Sequence, residues 1–376
     1  MEISKADTNT PKTERLYWPE LDGVRFFAFL LVFIHHHPLF KDVPGLKYIY
    51  EYGWIGVDLF FVLSAYLFTK LLVVEYQKTN TISFKKFYIR RVFRIWPVYY
   101  VFVAIVVLLA LYAKDFEVSR YMWIRIAGLL TFADNILTAN AGYNPIEITS
   151  HLWTIGYEEQ FYVFIPLIIF FLVRKPIKVR WLFFISVYLL CSIIRLIIIV
   201  KQVPHPALWV LPITHFEAIF MGVIIGFGGA DFILKKIKPE IVGVIGLLFF
   251  VLIILMPNLD IISGWLILTY TFVGFSTALV FYAVLYSPPL QRFFSKELFV
   301  FLGKRSYGLY VFHLAANSLA FMIVKKAGFS DPNVLWISFI VSLLLTILMS
   351  VISYQFIERP FLILKKKFEI VVSRPV

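Results

Sequence analysis

Residues Arg25 to His37 read RFFAFLLVFIHHH: nine consecutive apolar residues between an arginine and three histidines. Apolar runs like this are lipid or core material, and similar runs recur from end to end of the chain. Of 376 residues, 60% are hydrophobic and only 16% are charged, a composition outside the range of soluble globular domains. Apolar runs of about 18 residues or more are the length needed to cross a bilayer as helices. The expectation is an all-α polytopic membrane protein of about ten transmembrane helices, near 21–40, 54–74, 93–113, 156–173, 181–200, 209–229, 241–256, 262–286, 306–325 and 334–357. The segment WIRIAGLLTFADNIL (123–137) is ambiguous and is expected to be a helix within the long loop 114–155.

The formal net charge of +13 would suggest nucleic acid on a soluble protein, but its placement indicates topology. With the N-terminus inside, 24 lysines and arginines fall in segments on the cytoplasmic side and 8 in outside loops. That bias satisfies the positive-inside rule, puts both termini in the cytoplasm and leaves no need to invoke nucleic acid. The first twenty residues are polar and lack a cleavage-site pattern, so the first apolar helix is expected to stay in the membrane. Residues 1–20 and 363–376 are expected as cytoplasmic tails around one transmembrane domain, 21–362. The single cysteine, Cys191, lies in an apolar run and excludes both an intramolecular disulfide and a cysteine-built zinc site.

Ionisable groups inside a bilayer cost several kcal/mol and mark candidate functional positions. Eleven residues turn a helix through about 1,100°, three turns plus about 20°, so Arg25 and His36 share a face, about 16 Å apart along the axis. His35 falls about 80° and His37 about 120° from that face. Asp58 enters the second helix in YGWIGVDLFFVLSAYLFTKLL, at the depth where His36 ends. Arg91 and Arg94, three apart in FKKFYIRRVFRIWPVYY, point the same way, and guanidinium forks suit phosphate. In SHLWTIGYEEQFYVFIPLI, His151 precedes a helix that carries Glu158 and Glu159, and Glu158 is spaced to bond Tyr162. His313 lies mid-helix in GKRSYGLYVFHL. Structural ion pairs, dipole partners or snorkelling side chains are the alternatives at each position.

Taken together, LDGVRFFAFLLVFIHH, GVDLFFVLSAYL, FYIRRVFRIWPVYY, HLWTIGYEEQFY, SYGLYVFHL and ERPFL, in this order from Leu21 to Leu362, resemble the acyltransferase-3 family of integral membrane acyltransferases. The family's arginine–histidine pattern falls on Arg25 and His36, and its arginine-x-x-arginine pattern on Arg91 and Arg94. The chain departs from many relatives at Ser64-Ala65, where they have Ser-Gly, and at Phe26, where they have glycine. Some relatives carry an additional extracytoplasmic hydrolase-like domain; none is expected within this chain.

The resemblance implies transfer of an acyl group, usually acetyl, from cytosolic acetyl-CoA to a hydroxyl of a glycan or lipid-linked sugar, at the plasma (inner) membrane. Arg25, Arg91 and Arg94 would hold the coenzyme A phosphates, and His36 would take the hydroxyl proton, with Asp58 or Glu158 orienting its other nitrogen. Ser64, His151, Glu159, Tyr162 and His313 are further candidates, and a covalent intermediate on His36 or Ser64 is the alternative to direct transfer. No metal is implied. The expected partners are the acyl-CoA donor, the acceptor and the bilayer, with a homo-oligomer or polysaccharide-synthesis machinery as further possibilities. A proton-coupled secondary transporter would also place Asp, Glu, His and Arg at membrane depth, but no internal two-fold repeat is visible. A non-catalytic subunit of a polysaccharide assembly complex is the third reading.

Overall fold

The computed structural model describes residues 17–41, 43–112, 120–329 and 333–371, and among them no strand occurs. The chain folds as a multi-pass helical membrane protein. In chain order the principal helices begin with α1 (Pro19–His35), α2 (Ile55–Thr79) and α3 (Phe84–Tyr112). Two short helices follow, α4 (Arg120–Leu130) and α5 (Asp134–Ala141), and then α6 (Trp153–Val173) and α7 (Ile177–Val200). The second half comprises α8 (Glu217–Gly226), α9 (Pro239–Ile254), α10 (Leu266–Tyr286), α11 (Glu297–Lys304), α12 (Ser306–Lys326), α13 (Asn333–Ser353) and α14 (Arg359–Lys366).

Among the described residues, seven helices are long and apolar enough to cross a membrane: α2, α3, α6 with its lead-in from Glu147, α7, α10, α12 and α13 running on to Lys366. The other three expected spans are shorter. α1 has 17 residues, α8 has 10 and α9 has 16. The expected span 209–229 is not one helix, because α8 begins only at Glu217. Pro206 and Pro212 lack the N–H a continuous helix needs, and the chain makes two short turns there instead. The ambiguous segment 123–137 is a helix pair, α4 and α5, broken where Phe132 takes φ +56°. Of the expected tails, residues 1–16 and 372–376 lie outside the described residues. The stretch from 363 begins inside α14, which packs on α3.

α2 is the central post of the bundle, packed against α1, α6, α8 and α10. Lipid offers helices no hydrophobic reason to associate, so close backbone approach and dispersion must do it. Two glycines show how. Gly56 of α2 lies against the Ala28 carbonyl of α1, and Gly222 of α8 against the Val62 carbonyl of α2; a Cβ at either would collide with that oxygen. α1 and α2 are thereby held side by side, which brings the faces carrying Arg25, Ser64 and His36 onto one interior axis. The outer rim, including Leu182, Ile185, Leu189 and Ile193 of α7, exposes apolar side chains of the kind lipid covers.

Candidate active site

Three cavities follow one another along that axis. The inner one, of about 100 Å³, is lined by Trp18, Asp22 and Lys365 together with Arg25, Ser64, Arg91 and Arg94. Those last four residues also line the middle cavity, of about 120 Å³, where they meet Glu158, Tyr162, Thr154 and Tyr310. Thr154, Tyr310 and Val57 are shared in turn with the outer cavity, of about 430 Å³, which His36 and His151 line. Basic groups thus occupy one end and imidazoles the other.

The three arginines are not equivalent. Arg25 Nη1 donates to Asp22 Oδ1 at 2.7 Å, one helical turn earlier. Arg94 Nη1 donates to Glu358 Oε2 at 3.1 Å, where Glu358 is 2% exposed. Arg91 forms no ion pair among the described residues, and its Nε is buried without a hydrogen-bond partner. Its guanidinium lies instead over the Phe68 ring, 4.4 Å from the centroid. Glu158, in the same cavity, and Glu159 are its nearest opposite charges, but neither pairs with it directly, so the guanidinium keeps donors free for an incoming anion. The residues present therefore fit a phosphate-bearing ligand.

Tyr162 donates to Glu158 Oε2 at 2.9 Å, the i,i+4 pair its spacing predicts. The junction between middle and outer cavities is a hydroxyl pair, Thr154 Oγ1 to Tyr310 Oη at 2.6 Å, and Tyr310 donates to the His151 carbonyl at 3.2 Å.

His36 closes α1: its backbone N–H still reaches the Val32 carbonyl at 3.1 Å, so the side chain stays in helical register with Arg25. Its Nδ1 lies 2.8 Å from that same carbonyl oxygen. A carbonyl can only accept, which assigns the proton to Nδ1 and leaves Nε2 as the basic nitrogen. The neighbouring ring is His313, with Nε2 3.4 Å from His36 Nδ1. His313 is wholly buried and tied through Nδ1 to the Tyr310 carbonyl at 2.5 Å, and His151 packs on its other side with ring centroids 4.7 Å apart. Asn317 donates to the His36 carbonyl at 3.3 Å.

Arg25, Arg91, Arg94, Ser64, Glu158 and Tyr162 therefore share one cavity, while His36 and His151 share the next and His313 stands behind them. The carboxylate expected to orient His36 is not at its side. Asp58 is buried on α2 with Glu217 as its charged neighbour, Glu158 belongs to the middle cavity, and the Val32 carbonyl takes the orienting place. Glu159 does not line the cavity; its Oε2 accepts from Trp96 Nε1 at 3.2 Å, and Arg91 is its charged neighbour. Sequence reading missed Asp22, Glu358, Lys365, Thr154 and Tyr310. Asp22 was signalled by its i,i+3 spacing to Arg25, and Glu358 by its place in ERPFL; the others carried no distinguishing pattern. Among the described residues no group of three His, Cys, Asp or Glu is arranged to hold a metal ion.

The profile of a family described as "Acyltransferase domain" matches residues 18–355. The chain belongs to this acyltransferase-3 family. It is 30% identical over 375 residues to a Staphylococcus aureus (strain MSSA476) protein named provisionally as an O-acetyltransferase, a match covering 96% of this chain and 59% of that one. It is also 30% identical over 370 residues to O-acetyltransferase OatA of Staphylococcus aureus (strain NCTC 8325), covering 94% of this chain and 58% of OatA. The chain thus spans about three fifths of the length of the curated relatives it matches. No solved structure matches it.

Proposed function

We propose that this acyltransferase-3 protein is a membrane O-acyltransferase that moves an acyl group, acetyl by default, from cytosolic acetyl-CoA to a hydroxyl of a cell-surface or exported glycan. Its place is the plasma membrane, with the basic end inward. The observation that carries this reading is the series of three cavities with shared walls, running from Arg25, Arg91 and Arg94 to His36. Coenzyme A is polyanionic and cannot enter lipid, but its uncharged arm can lie along a narrow passage once its phosphates are neutralised. The two ends of the passage answer those two needs.

The sugar hydroxyl enters the outer cavity. His36 Nε2 takes its proton as the oxygen attacks the thioester carbonyl. A C–O bond forms, the C–S bond breaks, and coenzyme A leaves as a thiolate that recovers the proton from His36. General-base action of this kind contributes about 10²- to 10⁴-fold. The relatives' names as O-acetyltransferases support an oxygen acceptor and the acetyl group.

The test is equilibrium binding of labelled acetyl-CoA, and release of coenzyme A in the presence of acceptor, for wild type, Arg91→Met and His36→Ala. Binding weakened roughly tenfold to a hundredfold in the arginine variant and kept in the histidine variant, with release falling in the first and lost in the second, is expected. Full release by His36→Ala sinks the assignment of the base. Failure of wild type to bind acetyl-CoA sinks the donor.

A further inference from the structure

We infer that Lys365 holds the 3′-phosphate of the donor's nucleotide, with Trp18 as the wall against which the adenine ring lies. The inference rests on acetyl-CoA being the donor and assigns residues that the arginine and histidine motifs do not contain.

The argument is one of order. Lys365 and Trp18 line only the inner cavity. The three arginines line the inner and middle cavities, Thr154 and Tyr310 the middle and outer, and His36 the outer. Along the axis the chain therefore presents a lysine beside an aromatic, then an arginine cluster, then a hydroxyl-lined neck, then the base. Coenzyme A presents its own fixed order: 3′-phosphorylated adenosine, diphosphate, pantetheine arm, thioester. Only one orientation superimposes the two. With the thioester at His36, the diphosphate falls among the arginines. The remaining phosphate falls to Lys365, the further cation that lines the inner cavity beyond them.

The local charges agree. Asp22 also lines the inner cavity, but its carboxylate is taken up by Arg25 at 2.7 Å and by the Tyr17 hydroxyl at 3.0 Å. Lys365 Nζ stands 3.5 Å from Glu369 Oε1, at the long end of ion-pair distances, with its side chain 13% exposed. A phosphate dianion joins such a pair as the stronger partner.

The lysine is also held in place. α14 is pinned to α3 by Phe93, whose ring packs on Phe361 and Phe368, and by Arg90 Nη1, which donates to the Phe368 carbonyl at 2.9 Å. The inner cavity has room for a phosphate rather than a whole nucleotide, which sets the adenine at its mouth.

The experiment measures equilibrium binding of acetyl-CoA and of 3′-dephospho-acetyl-CoA to the full chain in detergent. Wild type, Lys365→Met and Lys365→Arg are compared, with thermal unfolding as the check on folding. Wild type is expected to prefer acetyl-CoA by about tenfold, the value of one charge-assisted hydrogen bond. Lys365→Met is expected to bind both ligands alike, and Lys365→Arg to regain the preference. Equal binding of the two ligands by wild type, a comparison that needs no variant, overturns the inference. So does an undiminished preference in Lys365→Met. Wild type that binds neither ligand refutes the donor itself, an outcome distinct from failure of the lysine.

Discussion

Replacing Arg91 by methionine is expected to move donor affinity and the stability of the empty protein in opposite directions. The side chain is a cation with a buried Nε, no ion pair among the described residues and an aromatic ring beneath it. The side chain is half-buried, and holding the unpartnered Nε away from water costs about 1–3 kcal/mol, of which the ring returns about 1 kcal/mol. A methionine fills similar space against Phe68 without the charge, so the empty protein should gain about 1 kcal/mol of stability once the cost is removed. The hydrogen bond from guanidinium to phosphate that the variant cannot make is worth about 1.5–3 kcal/mol, or roughly tenfold to a hundredfold in dissociation constant. The assay is thermal unfolding in detergent with and without acetyl-CoA: the unliganded midpoint should rise and the ligand-induced shift should shrink. Arg94→Met is the control of opposite sign. It deprives the buried Glu358 carboxylate of its arginine and should cost about 3 kcal/mol in the absence of ligand. An Arg91→Met protein that unfolds earlier than wild type and binds acetyl-CoA as tightly refutes the view of Arg91 as an anion receptor.

Other changes test the frame around the passage. Gly222→Leu drives a side chain into the Val62 carbonyl and should cost about 3 kcal/mol or prevent accumulation of folded protein, read by unfolding and by yield in the membrane fraction. Arg195→Met breaks a buried pair with Glu217 at 2.5 Å and should destabilise by about 3–5 kcal/mol, measured by the same unfolding assay. Tyr310→Phe removes the hydroxyl at the neck between middle and outer cavities. It should lower coenzyme A release by about tenfold while leaving acetyl-CoA affinity unchanged, as expected when one positioning hydrogen bond is removed.

The long helices were readable because lipid imposes a simple length and composition rule that local sequence obeys. α9 was readable as short, the expected span 241–256 being 16 residues like the helix itself, but α8 was not, since hydropathy continues through residues 209–216 although Pro212 and the turns around it break the helix. The Arg25–His36 face followed from helical periodicity alone, because both residues lie on one continuous helical path. What could not be read was pairing at a distance. Arg94 finds Glu358 264 positions away, and His36 finds His313 277 positions away. Nothing in the neighbourhood of Asp58 indicated that Glu217 would be its charged neighbour. Positions along one helix were legible; contacts between distant helices were not.

A bundle with three successive cavities along its interior would be a hazard to the ion gradient across its membrane. The cavities meet at two narrow places: the arginine cluster around Ser64, and the Thr154–Tyr310 pair. Fixed positive charge at a constriction repels hydronium and metal cations, as in water pores that conduct no protons. If coenzyme A enters here, the guanidinium groups that receive it would also serve as electrical insulation, sparing the cell's energy supply a short circuit.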